Sequence, residues 1–249
     1  MNASTRGLTP ALSFRGVSKA YGGTPALHEV NLQVERGVLF GLVGGNGAGK
    51  TTLIKCLLDF CSTDSGEISI GGVPHTRTAA RADLAFLPER FSPPFYLTGR
   101  DFLRYMADLH RQPYDEALVR QTLERLDLTC AALDRPARSY SKGMTQKLGL
   151  AACLLSAKTL QLLDEPTSGL DPKARALLKR ELRELRDAGH TVFFSSHALA
   201  DVEEICDCMA VLHSGRVMFT GSPTALMAKF DSPRLEDAFL ACIEQPTIA

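Results

Sequence analysis

The chain predicts an α/β fold with a mainly parallel sheet. Three observations carry that prediction. Short buried-strand runs stand at 38–43 (VLFGLV), 159–166 (TLQLLDEP) and 191–196 (TVFFSS), the pattern of strands covered on both faces. Segments of helical periodicity separate them, as in an alternating βα chain. The first run leads directly into a glycine-rich loop, GGNGAGKTT at 44–52, and then into a helical segment.

Taken in order, residues 12–18 (LSFRGVS) and 29–37 (EVNLQVERG) alternate apolar and polar, which predicts exposed strands and an N-terminal antiparallel β part. KTTLIKCLLDF at 50–60 is a helix, and 66–70 (GEISI) and 84–87 (LAFL) are short strands. From about 98 to 157 the pattern reads as helical throughout, through DFLRYMADLH and DEALVRQTLERLDL, which predicts an inserted helical subdomain. Residues 172–189 form an amphipathic helix with proline at its start and glycine at its end. After TVFFSS come a helix at 198–207 and a hairpin at 208–221 turning at Ser214-Gly215. Two short helices close the chain, opened by Ser222-Pro223 and Ser232-Pro233. The expected organisation is one domain over 10–245. Its core comprises 10–89 and 158–222, its helical subdomain 90–157, and its C-terminal helices 223–245.

Composition narrows the function classes. The 249 residues suit one large domain with a real core. Lys+Arg 28 against Asp+Glu 28 leaves no net charge, so a nucleic-acid footprint is not expected. No apolar run approaches the ~20 residues that span a bilayer, and MNASTRGLTP lacks the apolar core of a signal peptide. The chain therefore reads as soluble and cytoplasmic, with its seven cysteines reduced. Cys206, Cys208 and His213 lack zinc-knuckle spacing and read as packing residues.

Gly44 to Thr51 fits G-x-x-x-x-G-K-[ST] between a buried strand and a helix. The backbone N–H groups of Gly44, Gly45, Asn46, Gly47, Ala48 and Gly49 would wrap phosphates, with Lys50 supplying charge. Thr51 offers a hydroxyl to Mg2+, and Thr52 a further phosphate contact. Asp164 ends a buried strand, where a second Mg2+ partner is expected. Glu165 follows it, placed to act as base on a water in line with the γ-phosphate. SYSKGMTQKLG at 139–149 raises a question of its own. It is a second helix start suited to an anion, and the chain already has a phosphate loop.

These motifs together resemble the ATP-binding subunits of ABC transporters. GGNGAGKTT, YSKGM, LLDEPTSGLD and the histidine after FFSS occur in that family's order, and the likeness runs from about 12 to 243. Ser141 stands 23 residues before Asp164, and His197 stands 32 after Glu165. The resemblance implies a P-loop NTPase fold that uses ATP and Mg2+. It also implies two subunits meeting head to tail, so that Ser141 and Gly143 touch the γ-phosphate held by the partner. Tyr21 in YGGTPAL resembles the aromatic that stacks on adenine, although a lone tyrosine at a strand end is also an ordinary surface residue. Ser168 to Asp171 resembles the loop that crosses the dimer interface. His197 resembles the histidine that contacts the γ-phosphate and fixes the attacking water.

Three positions depart from the family's commonest form. Gly45 replaces proline, which loosens the loop without removing a phosphate donor. The signature reads Tyr-Ser-Lys-Gly-Met for Leu-Ser-Gly-Gly-Gln, and Lys142 reads as a solvated lysine ahead of one that lends charge to the γ-phosphate. Glu89 stands for the glutamine that reaches Mg2+, and is also a hard oxygen ligand. The stretch FSPPFYLTGRDFL after Glu89 reads either as part of a groove for a membrane-domain helix or as local packing. YSKGM and the ending SPRLEDAFLACIE resemble the export branch, whose membrane part is a separate chain.

The implied function is ATP hydrolysis at the cytoplasmic face of the membrane, driving export through separate permease subunits. The partner ATPase is a second copy of this chain or a sister subunit. The competing function is an ABC ATPase without a transport role, an assembly or translation factor. The tandem domains and the coiled-coil or zinc insertions of such relatives are not found here. A P-loop kinase or GTPase would leave the signature and the SGLD loop unexplained, and the base-reading Asn-Lys-x-Asp is missing.

Overall fold

The computed structural model describes residues 9–245; the N-terminal stretch read above for a leader falls almost wholly outside them. Two sheets organise the chain. Strands β1 (Leu12–Tyr21), β2 (Thr24–Val34), β4 (Ser65–Ile70) and β5 (Val73–Pro74) form an antiparallel sheet in the order β2-β1-β4-β5. Strands β3 (Leu39–Val43), β6 (Leu84–Leu87), β7 (Leu160–Asp164), β8 (Thr191–Ser196), β9 (Cys208–His213) and β10 (Arg216–Gly221) form the second. Its order is β10-β9-β3-β8-β7-β6, all parallel except the β9–β10 hairpin.

The parallel strands read as unbroken apolar runs because the sheet divides two cores. Successive side chains leave a strand on opposite faces. Leu39 and Val43 enter one core with Leu163 and Phe194, while Phe40 and Leu42 enter the other with Leu162 and Phe193. Phe40 and Phe193 are register partners on β3 and β8, and their rings stack with centroids 5.7 Å apart. The second core also takes in helix α1 (Lys50–Leu57) and the inner face of the antiparallel sheet, with Leu12, Phe14 and Ile68 buried there.

The helical block is α2 (Gly99–Leu109), α3 (Glu116–Arg125) and α4 (Lys142–Leu155). Helix α2 is capped by Thr98, whose hydroxyl accepts from the Asp101 N–H, and α3 by Asp115. The expectation of helix throughout 98–157 is corrected here. Residues 126–141 hold two short 3₁₀ turns and extended backbone, tied by a bridge between Thr98 and Pro136. Arg135-Pro136 breaks the periodicity, since proline excludes the helical conformation from the residue before it. Arg100 fastens this irregular stretch, with Nε on Asp134 at 2.8 Å and the guanidinium on Glu116.

Strand β2 also begins earlier than its alternation suggested, at Thr24 rather than 29. Pro25 was the obstacle to reading it. The strand lies at a sheet edge, where a missing N–H is tolerated. Helices α5 (Pro172–Asp187), α6 (Leu199–Ile205), α7 (Pro223–Lys229) and α8 (Leu235–Glu244) complete the chain. On α8, Leu235, Ala238 and Cys242 are buried and Phe239 is partly so, as core spacing predicts.

Candidate functional site

The register of the parallel sheet builds the site. Val43 pairs with Ser196, and Asp164 pairs with Ser195. The chain therefore leaves β3, β7 and β8 at one level and one end. The segments that follow are the glycine loop, Glu165 and His197. Ligands of open parallel sheets bind outside such carboxyl ends. A cleft of about 690 Å³ opens there, lined by residues 45–52 with Glu89, Asp164, Glu165, Ser168 and His197.

The loop takes its shape from glycines at specific places. Gly47 and Gly49 have φ of +79° and +108°, which side chains resist. A Cβ at Gly49 would stand 2.7 Å from the Ala26 carbonyl, and one at Gly44 would stand 2.3 Å from that of Leu212. Gly49 is also the N-cap of α1 and has no side chain to satisfy the first-turn N–H groups, and no acidic residue occupies that turn. The helix start is thereby left to an anion. Lys50 is buried, and its Nζ donates to the carbonyls of Gly44 at 2.6 Å and Gly45 at 3.3 Å.

Gly45 is different. Its φ is not in the left-handed region, and a Cβ there would meet nothing within 4 Å. Gly45→Ala is expected to leave nucleotide binding unchanged and to raise stability by about 0.4–1 kcal/mol, by restricting the unfolded chain. A thermal melt with and without ATP checks both.

Two acids meet the loop. Glu165 Oε1 lies 3.7 Å from Lys50 Nζ and Oε2 lies 2.8 Å from His197 Nδ1. The Glu165 backbone is left-handed, with φ +48°. Its N–H donates to Ser195 Oγ at 2.9 Å, and the Ser195 hydroxyl donates to Asp164 Oδ1. One serine thus orients both acids. The sequence analysis used FFSS only as a strand; the signal for Ser195 was a hydroxyl in an otherwise apolar buried run, which has to find a partner. Burial pushes the Asp164 carboxyl above the usual carboxylate range, the Ser195 hydrogen bond opposes this, and the nearby Glu89 and Glu165 charges add to it.

The donor set suits a hard divalent ion. Thr51, Asp164 and Glu89 all face the cleft and offer only oxygen, and a cation would relieve the crowding of acids that raises Asp164. Among the described residues no cluster of three His, Cys, Asp or Glu forms a complete metal cage. Mg2+ takes one or two protein carboxylates and keeps several waters, and Thr51, Asp164 and Glu89 offer such oxygens.

The remaining expected residues lie elsewhere. Ser141 is the exposed N-cap of α4, and its Oγ accepts from the Met144 N–H at 3.2 Å. Gly143 packs against the 166–169 loop, since a Cβ on it would be 3.1 Å from the Gly169 carbonyl. Asp171 caps α5 by accepting from the Ala174 N–H at 2.9 Å. None of these three lines the cleft of its own chain. Tyr21, at the end of β1, is 48% exposed and donates to Cys61 Sγ at 3.5 Å. It also stands outside the cleft wall. The stretch after Glu89 divides: Phe91 and Leu97 pack on the core, while Phe95 and Tyr96 stay 66% and 69% exposed, edge to face.

The glycine loop, its lysine and the strand-end carboxylates define a P-loop NTPase. Residues 27–168 match the ABC transporter family. The chain is 36% identical over 211 residues to an uncharacterised ABC transporter ATP-binding protein, YdbJ, of Bacillus subtilis, covering 84% of this chain and 68% of that one. It is 36% identical over 225 residues to the Nod factor export ATP-binding protein I of Mesorhizobium japonicum, covering 88% and 65%. Among solved structures, an ATP-binding subunit of an ABC transporter superposes with TM-score 0.84 at 30% identity, covering 93% of this chain and 99% of that one. The chain belongs to the ABC transporter family, as an ATP-binding protein. It spans about two thirds of the length of the two curated relatives.

Proposed function

We propose that two such subunits close head to tail around ATP and drive export through separate membrane subunits at the cytoplasmic face. The observation that carries the reading is the convergence of Lys50, Glu165 and His197 on the glycine loop in one cleft. The loop N–H groups of 44–49, Lys50 and Thr52 hold the phosphates. Thr51 and Asp164, with Glu89 beside them, would hold Mg2+, which would supply positive charge to the phosphates. Glu165 accepts a proton from the attacking water, and His197 fixes that carboxylate and the γ-phosphate end of the site. Lys50 lies 3.7 Å from that carboxylate and links it to the loop.

The signature supports closure in trans. Ser141 and Gly143 sit at an exposed helix start that their own cleft does not use. A second chain turned by two-fold symmetry would bring that start to the γ-phosphate, with Asp171 at the crossing loop and Tyr21 against the adenine. Each nucleotide then cements the interface, and hydrolysis releases it. Export is supported by the likeness to the Nod factor export protein and by YSKGM. The exposed pair Phe95 and Tyr96, just after Glu89, fits a contact with the membrane subunit. No helix among the described residues is long and apolar enough to cross a membrane.

The test is a pull-down of tagged Glu165→Gln protein from detergent-solubilised membranes with ATP, read by mass spectrometry. A stoichiometric polytopic membrane protein is expected. Recovery of ribosomes or assembly factors alone would overturn the transport reading.

A further inference from the structure

The start of α4 and the loop 166–169 are held together at three points. Lys142 Nζ donates to Ser168 Oγ at 3.2 Å. The lysine stem lies on Gly169: a Cβ built there would be 2.9 Å from Lys142 Cδ and 3.0 Å from its Cγ and Cε. One turn on, the buried Gln146 donates from Nε2 to the Pro166 carbonyl at 3.2 Å. Lys142 is exposed, as its sequence suggested, and its ammonium has a partner in Ser168.

That loop is also tied to the acid of its own cleft. The Ser168 N–H donates to the Glu165 carbonyl at 3.0 Å, closing a tight turn. Ser168 itself lines the cleft together with Lys50, Glu165 and His197. A continuous path runs from the helix start, through Lys142 and Ser168, to Glu165. Where glycine stands at position 142, this link has no atoms to form it.

We propose that Lys142 is a positioning residue for hydrolysis. Its hydrogen bond to Ser168 fixes the turn that carries Glu165, so that an anion docking on the α4 start steadies the base of the same chain. The inference rests on the reading of Glu165 as the base and of the signature as the partner's phosphate contact. Lys142 acts through Ser168 and touches no reacting atom.

The test compares Lys142→Met, which keeps most of the stem but no donor, with Lys142→Arg, Ser168→Ala and the double variant Lys142→Met/Ser168→Ala. Hydrolysis is measured against ATP concentration on the full chain, with melting temperatures alongside. For Lys142→Met, kcat is expected to fall about two- to tenfold, the effect of one hydrogen bond. KM and melting temperature stay unchanged, and the ATP dependence loses steepness. Ser168→Ala shows the same loss, the double variant is no slower than the worse single one, and Lys142→Arg restores most of the rate. A Lys142→Met protein at the parent rate overturns the proposal. So does a loss carried by KM, which would place the ammonium on phosphate, and so do losses that multiply in the double variant. Failure of the underlying reading shows separately, as normal hydrolysis by Glu165→Gln whatever Lys142 does.

Discussion

Glu165→Gln is expected to bind ATP and to hydrolyse it about 100- to 10,000-fold more slowly than the parent chain, the range of a lost general base. The substitution keeps the shape of a side chain wedged between Lys50 at 3.7 Å and His197 at 2.8 Å. Its backbone is fixed independently by the N–H bond to Ser195, so the turn stays in place. Only the proton acceptor is lost. Single-turnover hydrolysis beside calorimetric ATP binding checks it, and in the trans arrangement the variant accumulates as an ATP-bound dimer by light scattering. Hydrolysis at the parent rate would remove Glu165 from the mechanism.

Lys50→Ala is expected to weaken ATP binding about 10- to 100-fold, the 1.5–3 kcal/mol of a hydrogen bond to a charged group. Truncation also removes the donor that holds the Gly44 and Gly45 carbonyls and leaves Glu165 without its cation inside a buried cleft. The loss therefore falls on binding first and on rate through it. Calorimetry with non-hydrolysed ATP analogue measures it, and unchanged affinity would sink the phosphate-loop role of Lys50.

Much of this site was legible because it depends on local chemistry. Gly44 to Thr52 and Asp164-Glu165 announce themselves by residue type and by the apolar strands before them. LAFL and TVFFSS were bounded correctly, the first as an unbroken apolar run and the second by its β-branched and aromatic residues. What stayed hidden depends on partners distant in sequence. Nothing in TVFFSS says that Ser195 faces Asp164, because that follows from β7 pairing with β8. Nothing near Lys142 in the sequence names Ser168, 26 residues on, as the partner of its exposed ammonium. The irregular stretch 126–141 kept an apolar rhythm, through Leu126, Leu128, Ala132 and Leu133, that serves packing without a continuous helix. Edge strand β2 starts directly after the real Gly22-Gly23 turn and carries Pro25 inside its first half.

The hairpin between β9 and β10 has a consequence for biosynthesis. Its tip is clamped from two sides: the Gly215 N–H donates to the Ala48 carbonyl at 3.0 Å, and the Gly215 carbonyl accepts from the His28 N–H at 2.8 Å. The phosphate strand β3 is likewise flanked only by β8 and β9. The nucleotide loop stands early in the chain, yet both strands that flank β3 and the hairpin tip bonded to Ala48 lie beyond residue 190. Such distant closures form slowly. A chain that stops short of residue 208 has the loop sequence without strand β9 beside β3 and without the Gly215 bond to Ala48.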